Sequence, residues 1–466
     1  MMRNYKRYLI VPLFAAAFFS SYIVTRQAVP LDDAYITYAY AKRLAMGYGF
    51  TFSPGALPTY GTTTPLYTLM LSLICKIGIL PHVASPWINV ISHGLIAVLL
   101  FWIGRYLLGT LTGLLMVLVW VLQFSVFFSS SGMETPYYMV LFLSVVILLL
   151  LEKKTWIIGV LLGITLLTRP DTLLLILSIA CFWLLDMRRR KTLPLLLLIV
   201  FVVYLPWVLY AFTQFGSIVP TSMKAKIINP GKISGNFGLE HFITYFLPIS
   251  LTDRKSNLSV FVVLFIFFVI GCFYLWKNRL SLRAVIVWIP LYCSAMRLGG
   301  APDFRWYYIP PWVVALIPLV IGFVVFLRRL KKFSIPLPII LIVILVFVIA
   351  TANVKSLHWY AISPHKQLAL IVKQLAKPGD LVASREVGNL TYWAELPVLD
   401  MLGLNSPEVT PFLKKNDMKG ILEKYKPEFV LYPGNKELFE DYEPIESLPY
   451  GTDTYTIWRR RTSDFN

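Results

Sequence analysis

Residues 30–44 read PLDDAYITYAYAKRL, and they follow an apolar run over residues 8–28 that is long enough to cross a bilayer. Acidic residues are scarce in the apolar part of the chain, yet Asp32 and Asp33 stand side by side just after this run. The pattern that follows has helical spacing and predicts an amphipathic helix over residues 34–46 along the membrane surface. One aspartate would cap this helix, which leaves the second carboxylate without an assigned role.

The composition of the chain is that of a protein with many membrane spans. Of its 466 residues, 57% are hydrophobic and 14% are charged, and the mean hydropathy is +0.68. A soluble protein of this length has too small a core to hide so much apolar surface. The composition therefore predicts a polytopic α-helical membrane protein.

The net charge of +19 is concentrated in the apolar part of the chain. Residues 1–352 carry 29 Lys and Arg against nine acids, whereas residues 353–466 carry 14 against 15. A basic excess in short loops is what membrane orientation requires. The charge therefore indicates membrane lipids as a partner and gives no reason to expect a nucleic acid.

Eleven apolar runs are candidate transmembrane spans, and several of them, especially 155–168, are short for a span. They cover residues 8–28, 84–104, 110–128, 136–151, 155–168, 171–187, 192–213, 257–276, 281–297, 306–327 and 335–352. The basic clusters fall in every second loop, which predicts a cytoplasmic N-terminus. A further apolar segment at 64–80 must then enter and leave on one face, so we expect a re-entrant or interfacial helix there.

The last part of the sequence has the composition of a water-soluble domain. GDLVAS (379–384) and PEFVLYPG (427–434) fit short buried strands, and HKQLALIVKQLAK (365–377) fits an amphipathic helix. We therefore predict a transmembrane domain over residues 1–352 and a small extracytoplasmic α/β domain over residues 353–466.

Seven of the nine acids in the first domain map to the predicted outer face. Among the polar turns there, SSGMETP holds Glu134, LTRPDT holds Arg169 and Asp171, and RLGGAPDFRWYY holds Asp303 and Arg305. Ionisable groups at such depths are costly unless they are paired or line a wet cavity. Their convergence on one face predicts a single polar cavity at the outer leaflet.

Each of these residues also has a simpler interpretation. Glu134 and Asp171 stand where they would cap the helices that follow, and Arg169 would snorkel to the lipid headgroups. In VPTSMKAK (219–226), Lys224 and Lys226 suit a phosphate group, but they suit bulk anionic lipid equally well.

The order of these motifs resembles that of GT-C-type glycosyltransferases, which are polytopic enzymes that use lipid-linked sugars. The first outer loop carries DDAY, then GYGFTFSPG over residues 47–55 and GTTTPLY over residues 61–67. SGMETP, TRPDTLLL, PTSMKAK, RWYYIPPW and GNLTYWAELPVLDMLGLNSPEV follow in order. Together they are similar to the branch that contains the terminal arabinofuranosyltransferases of the mycobacterial cell wall, and the resemblance covers almost the whole chain.

The resemblance implies a donor sugar carried on a polyprenyl phosphate and an acceptor that is an extracytoplasmic glycan or glycolipid. Asp32 or Asp33 would be the catalytic base, with inversion at the anomeric carbon, and cations would stabilise the leaving polyprenyl phosphate. The resemblance does not rank the two aspartates. The predicted substrate-binding residues are Glu134, Arg169, Asp171, Lys224, Lys226, Asp303 and Arg305.

The sequence shows no nucleotide-sugar signature, which agrees with a donor that is loaded elsewhere. It predicts no metal-binding residues and no certain cofactor, and it leaves a divalent cation open. The predicted location is the inner (plasma) membrane, with the active site and the C-terminal domain on the extracytoplasmic side.

Other functions share several of these features. An oligosaccharide or protein glycosyltransferase of the same fold would hold a different acceptor near the loop 214–256 and the C-terminal domain. A lipid or solute transporter also needs many spans, but it would more naturally show related halves and charges deep within them. A non-catalytic scaffold subunit is the remaining alternative.

Overall fold

The structure is a computed structural model, and the description covers residues 9–123, 127, 130–228, 237–238, 254–329, 364–433, 440–450 and 453–461. Three predictions lie outside these residues. They are the eleventh span at 335–352, the domain boundary between residues 352 and 353, and most of the loop 214–256 with its acids Glu240 and Asp253.

The described part of the first domain is built almost entirely of helices. These are α1 (Ile10–Gln27), α2 (Asp32–Ala45), α3 (Pro65–Lys76), α4 (Pro81–Leu108), α5 (Thr110–Val121), α6 (Thr135–Leu150), α7 (Thr155–Thr168), α8 (Thr172–Leu185), α9 (Met187–Arg190), α10 (Leu193–Phe215), α11 (Thr221–Ile228), α12 (Arg254–Asn278), a 3-10 turn (Leu280–Leu282), α13 (Arg283–Leu298) and α14 (Arg305–Arg329).

Each of the first ten predicted spans contains a helix within the described residues. The spans 8–28 and 110–128 extend into residues that are not described, and the described helix of the second ends at Val121. By length and composition, five of the described helices are long and apolar enough to cross a membrane, and they correspond to α4, α10, the 261–278 part of α12, the 280–298 segment and α14. Several others, such as α7, are shorter apolar helices. The fold is therefore that of a helical membrane protein, while the number of spans stays a prediction.

The segment predicted to be re-entrant or interfacial forms the 12-residue helix α3. At 1.5 Å per residue this helix is about 18 Å long, which is too short to cross the ~30 Å hydrocarbon core. Pro65 occupies its first turn, where a missing N–H costs nothing. Its length agrees with a helix that does not span the bilayer.

Small residues allow two of the long helices to approach closely. Gly271 of α12 lies against the main chain of α14 at Pro318, and Gly322 of α14 lies against Phe267. A Cβ atom at either glycine would overlap a main-chain carbonyl oxygen. Such contacts are typical of helix packing in lipid, where close backbone approach replaces the hydrophobic effect.

The C-terminal part is a small α/β unit, as predicted. Its helices and strands are α15 (His365–Leu375), β1 (Val382–Ser384), α16 (Gly388–Ala394), β2 (Val398–Asp400), a 3-10 turn (Pro407–Val409), α17 (Thr410–Lys415), α18 (Met418–Tyr425), β3 (Phe429–Pro433), β4 (Tyr442–Tyr450) and β5 (Asp453–Arg460). The strand order is β2-β1-β3-β5-β4. β1 pairs parallel with β2 and β3, whereas β5 pairs antiparallel with β3 and β4.

Helix α2 confirms the helix that was predicted after the first apolar run, but its surroundings differ from the prediction. Its tyrosines Tyr35, Tyr38 and Tyr40 are all buried, as are four other residues of the helix. Tyr35 packs against the rings of Tyr392 and Trp393, which lie in α16 of the C-terminal domain. The aromatic face of α2 is therefore covered by protein, while the position of the helix along the membrane surface stays a prediction.

Candidate active site

A cavity of about 440 Å³ lies where the loops of the first domain meet the C-terminal domain. Its walls come from the start of α2, the loop that precedes α3, the turns before α6 and α8, helix α11 and the segment that joins α13 to α14. One residue of the C-terminal domain, Leu404, also lines it. The polar lining residues include Asp33, Thr62, Thr64, Glu134, Arg169, Asp171, Ser222 and Lys226.

Five of the nine residues predicted for the site line this cavity, namely Asp33, Glu134, Arg169, Asp171 and Lys226. The convergence of polar turns predicted from the sequence is therefore present in the structure. The roles of these residues stay predictions.

The other four predicted residues are not among those that line the cavity. Lys224 is exposed, and its Nζ donates a hydrogen bond to Ser217 Oγ over 2.7 Å. Asp303 Oδ1 accepts a hydrogen bond from the Tyr308 hydroxyl over 2.6 Å. Arg305 begins helix α14.

Asp32 contacts the C-terminal domain. Its Oδ2 accepts a hydrogen bond from the Gly388 N–H over 2.8 Å. Its Oδ1 accepts from the Asn389 N–H over 2.8 Å and from Asn389 Nδ2 over 2.9 Å. The cap position of α2 is Leu31, which makes no side-chain cap bond. The capping prediction was therefore wrong about the helix, since Asp32 binds the N-terminal N–H groups of α16 instead.

Asp33 lines the cavity and has a perturbed acidity. The pKa of its carboxyl is raised to about 6, chiefly by burial, and the negative charges of Asp32, Asp400 and Glu134 contribute to this rise. The positive charge of Lys226 opposes this rise. At neutral pH the carboxylate is ionised, yet it binds a proton more readily than an ordinary aspartate does.

Arg169 holds the two turns that precede α6 and α8 together. Its guanidinium donates to Glu134 Oε1 over 3.0 Å and to Asp171 Oδ2 over 2.9 Å. It also lies over the rings of Tyr138 and Tyr307, 5.3 Å and 5.8 Å from their centroids. Arg169 is 5% exposed, so the snorkelling interpretation was wrong.

The carboxylates that face Arg169 were also considered as helix caps. Glu134 and Asp171 do occupy the cap positions of α6 and α8, but neither side chain makes a cap hydrogen bond. Both carboxylates instead bind the guanidinium. Two negative charges balance one positive charge, so Arg169 has little net attraction left for an anion.

Helix α11 brings a cation and a hydroxyl to the cavity. Lys226 Nζ donates to the Tyr307 hydroxyl over 2.9 Å, and among the described residues no carboxylate lies within ion-pair distance of it. Burial disfavours its charge, but Tyr307 and Asp33 outweigh this effect and raise the pKa of Lys226 overall. Ser222 lies one turn earlier, is 6% exposed, and its Oγ has no hydrogen-bond partner within the described structure.

Some lining residues were not predicted as site residues. Thr62 and Thr64 belong to the GTTTP run, and their hydroxyls lie 3.1 Å apart. Ser222 stands four residues before Lys226, a spacing that places both on one helix face. This spacing is the sequence signal that could have identified Ser222 as a site residue. Leu404 carried no local signal, because only the tertiary fold brings it to the cavity.

The lining of the cavity also contains apolar side chains, among them Leu173, Leu174, Met223 and Met296. Leu173 is 57% exposed, on the apolar helix α8, and Met223 is 37% exposed. The cavity therefore combines charged and apolar side chains in its lining, a combination that suits an amphiphilic ligand.

The described residues contain no group of three or more His, Cys, Asp and Glu side chains arranged to hold a metal ion.

The chain was compared with known proteins. Residues 353–459 match a family described as a domain of unknown function, DUF8728. A search of curated protein sequences finds no match for the chain.

Several solved structures share the fold. The oligosaccharyltransferase of Archaeoglobus fulgidus in its apo form is 13% identical with a TM-score of 0.61, over 99% of this chain and 75% of that one. AglB from the same organism, in complex with an inhibitory peptide and a dolichol-phosphate, is 10% identical with a TM-score of 0.57, over 99% and 75%. ArnT from Cupriavidus metallidurans, bound to undecaprenyl phosphate, is 12% identical with a TM-score of 0.62, over 97% and 98%.

These likenesses bear on the fold alone, because the identities are low. They do not distinguish between branches of the fold, so the arabinofuranosyltransferase branch stays a prediction. The helical membrane domain, the small C-terminal sheet domain and these neighbours together show that the chain has the GT-C fold.

Proposed function

We propose that the protein is an integral-membrane glycosyltransferase that transfers a sugar from a polyprenyl-phosphate donor to an extracytoplasmic glycan or glycolipid acceptor. The observation that carries the proposal is that Asp33 and Lys226 line one cavity together with apolar side chains such as Leu173 and Met223. The solved structures of the same fold support it, since one holds undecaprenyl phosphate and another holds a dolichol-phosphate.

Asp33 is the base in this proposal. Its carboxylate takes the proton of the acceptor hydroxyl while that oxygen forms a bond to the anomeric carbon. The bond from the anomeric carbon to the phosphate oxygen breaks, and its electron pair leaves with the polyprenyl phosphate. A pKa of about 6 lets Asp33 be ionised at pH 7 and still accept a proton. General-base help typically contributes about 10²–10⁴-fold in rate.

Lys226 and Ser222 stabilise the leaving group. The ammonium of Lys226 has no carboxylate partner among the described residues, and the Ser222 hydroxyl is free to donate. Both line the cavity that holds Asp33. A fixed cation and a hydroxyl directed at the growing negative charge of the phosphate lower the barrier without reorganisation. Lys224 and Arg305 do not line the cavity, and Arg169 is already balanced by two carboxylates.

The apolar part of the lining accommodates the lipid part of the donor. A polyprenyl chain lies in the hydrocarbon core, so its phosphate has to reach the cavity from the side. Leu173 and Met223 line the cavity from two different helices, and both are exposed. Glu134 and Asp171, whose carboxylates are fixed by Arg169, are assigned to hydrogen bonds with sugar hydroxyls.

The proposal is tested by incubating membranes with a panel of radiolabelled polyprenyl-phosphate sugars. Wild type is compared with Asp33→Asn, Asp33→Glu and the matched variant Asp186→Asn. Asp186 caps the short helix α9 through the Arg188 N–H, and it does not line the cavity. We expect Asp33→Asn to lose at least 10²-fold of the transfer and Asp186→Asn to lose none. Full transfer by folded Asp33→Asn would refute the assignment of the base.

A protein acceptor is the second candidate. It is favoured by the likeness to an oligosaccharyltransferase whose structure contains an inhibitory peptide. The same assay separates the two candidates when glycan, glycolipid and peptide acceptors are offered in parallel. If wild type transferred none of the sugars to any acceptor, the enzyme proposal would fail and the transporter alternative would gain.

A further inference from the structure

The contact between Asp32 and the C-terminal domain connects residues that are 356 positions apart in the chain. It consists of three hydrogen bonds of 2.8–2.9 Å to Gly388 and Asn389. Asn389 is fully buried. A carboxylate that accepts several N–H bonds is strongly held, since hydrogen bonds to a charged group are stronger than those between neutral groups.

Shape as well as hydrogen bonding fixes this contact. A Cβ atom at Gly388 would overlap the main-chain carbonyl oxygen of Asp32 and would also contact its carboxylate. Only glycine lets the two main chains approach this closely. The first turn of α2 therefore packs directly against the main chain of the C-terminal domain.

Other contacts continue along the same helix and its loop. The Tyr40 hydroxyl donates to Asn405 Oδ1 over 3.2 Å, and Lys42 forms an ion pair with Glu395. In the loop after α2, Ser53 Oγ accepts a hydrogen bond from the Val398 N–H over 3.2 Å. The C-terminal domain thus contacts α2 near both of its ends.

Asp33 follows Asp32 directly, yet the described residues offer its carboxylate no hydrogen bond. Its position in the cavity therefore depends on the main chain of the first turn of α2. That turn is fixed by Asp32, whose carboxylate binds the C-terminal domain and does not line the cavity. A carboxylate base has to be placed accurately, because a misplacement of about 1 Å can cost on the order of 10²-fold in rate.

We infer that the C-terminal domain is part of the active site and positions the base Asp33, acting through the contact of Asp32 with Gly388 and Asn389. Asp32 is a positioning residue in this arrangement and does not take the proton itself. The inference rests on the proposed function. It assigns a role in that reaction to the C-terminal domain, whose residues 353–459 match the domain of unknown function.

The test compares Gly388→Ala and Asn389→Ala with the control Asp417→Asn. Asp417 is also an aspartate that accepts a hydrogen bond from a helix N–H, but its partner, Gly420, belongs to the same domain. We expect Gly388→Ala to lower kcat about 10²-fold with an unchanged KM for the donor. Asn389→Ala removes one of the three hydrogen bonds and should have a smaller effect. Asp417→Asn should transfer sugar like wild type.

The pH profile of transfer distinguishes an effect of the Asp32 charge from an effect of the position of Asp33. Asp32→Asn removes a negative charge that raises the pKa of Asp33, so the acid limb of its profile should move to lower pH. Gly388→Ala keeps that charge. It should lower the maximal transfer rate at high pH without moving the acid limb to lower pH. In the Asp33→Asn background neither change should reduce the residual transfer further, because both act through Asp33.

A measurement that needs no activity completes the test. Hydrogen–deuterium exchange of peptides that cover residues 29–40 should rise in Gly388→Ala and stay at the wild-type level in Asp417→Asn. If Gly388→Ala kept full transfer and unchanged exchange, or if Asp417→Asn lost as much transfer as Gly388→Ala, the inference would be overturned. If wild type transferred no sugar at all, the proposed function would fail, and the exchange data alone would decide whether the domain holds the turn.

Discussion

Arg169 and Asp171 are two residues apart, and the guanidinium binds the carboxylate through both Nε and Nη2, at 3.1 Å and 2.9 Å from Asp171 Oδ2. The remaining Nη1 donates to Glu134 over 3.0 Å. All three side chains are at most 7% exposed. The trio therefore joins the turns before α6 and α8 into one unit at the wall of the cavity.

Replacing Arg169 by alanine should destabilise the protein strongly, because it leaves two buried carboxylates unpaired. Breaking a buried pair in this way costs about 3–5 kcal/mol. The measurement is thermal unfolding in detergent. Arg189→Ala is the matched control, since Arg189 pairs with the exposed Glu152 at 3.9 Å and such surface pairs contribute about 0–1 kcal/mol. Equal unfolding temperatures for the two variants would contradict the prediction.

Lys226 and Lys224 provide a second matched pair, since they stand two residues apart and only Lys226 lines the cavity. Lys226→Gln should lower kcat/KM for the donor about 10²–10³-fold, the range found when one group that stabilises a developing charge is removed. Lys224→Gln should have little effect, because Lys224 is exposed and binds Ser217. Steady-state kinetics with a polyprenyl-phosphate sugar measures both. An equal loss in both variants would indicate bulk anionic lipid as the partner of these lysines.

The transfer rate should depend on pH through the ionisation of Asp33. Only the ionised carboxylate accepts a proton, and burial raises the pKa of this group to about 6. The rate should therefore be low below pH 5, rise through about pH 6 and reach a plateau above pH 7. Lys226→Gln should move the midpoint upward, because the charge of Lys226 lowers the pKa of Asp33. A rate independent of pH from 5 to 8, with chemistry shown to be rate-limiting, would exclude Asp33 as the base.

Ser222 should matter for catalysis and not for stability. Its hydroxyl is buried and has no partner in the described structure, and the same is true of Ser178 in α8, which does not line the cavity. A hydrogen bond to a charged group contributes about 1.5–3 kcal/mol, so Ser222→Ala should slow transfer roughly 10–100-fold. Ser178→Ala should transfer sugar normally, and neither variant should lower the unfolding temperature. The idea fails if the two alanine variants have the same activity.

The helices could be predicted well because apolar runs of membrane-spanning length are the strongest signal a sequence contains. Helix α7 (Thr155–Thr168) has the predicted ends, and α3 was predicted not to cross the membrane. The surroundings of α2 could not be predicted in the same way. Its tyrosines suit a membrane interface and a protein core equally well, and the ring of Tyr392 that covers Tyr35 comes from a distant part of the chain.

The candidate site was predicted in outline for a related reason. Charged residues such as Glu134 and Arg169 are energetically costly in a membrane and rare in apolar sequence. Their positions in the sequence therefore predicted that they come together at one cavity. The sequence did not separate Asp32 from Asp33, since neighbouring residues of a helix point about 100° apart and their partners lie elsewhere. Likewise, it gave Lys224 and Lys226 equal weight, although the turn of α11 leaves only one of them facing the cavity.

The contact between Asp32 and Gly388 joins an early and a late part of the chain, so it forms only when synthesis is nearly complete. The ribosome adds about 5–20 residues per second. Residue 388 lies 356 positions after residue 32, so it is synthesised roughly 20–70 s later. During this time the early helices enter the membrane while the first turn of α2 lacks its partner. The proposed catalytic centre is therefore incomplete while the nascent chain inserts, and the last quarter of the sequence completes it when it arrives.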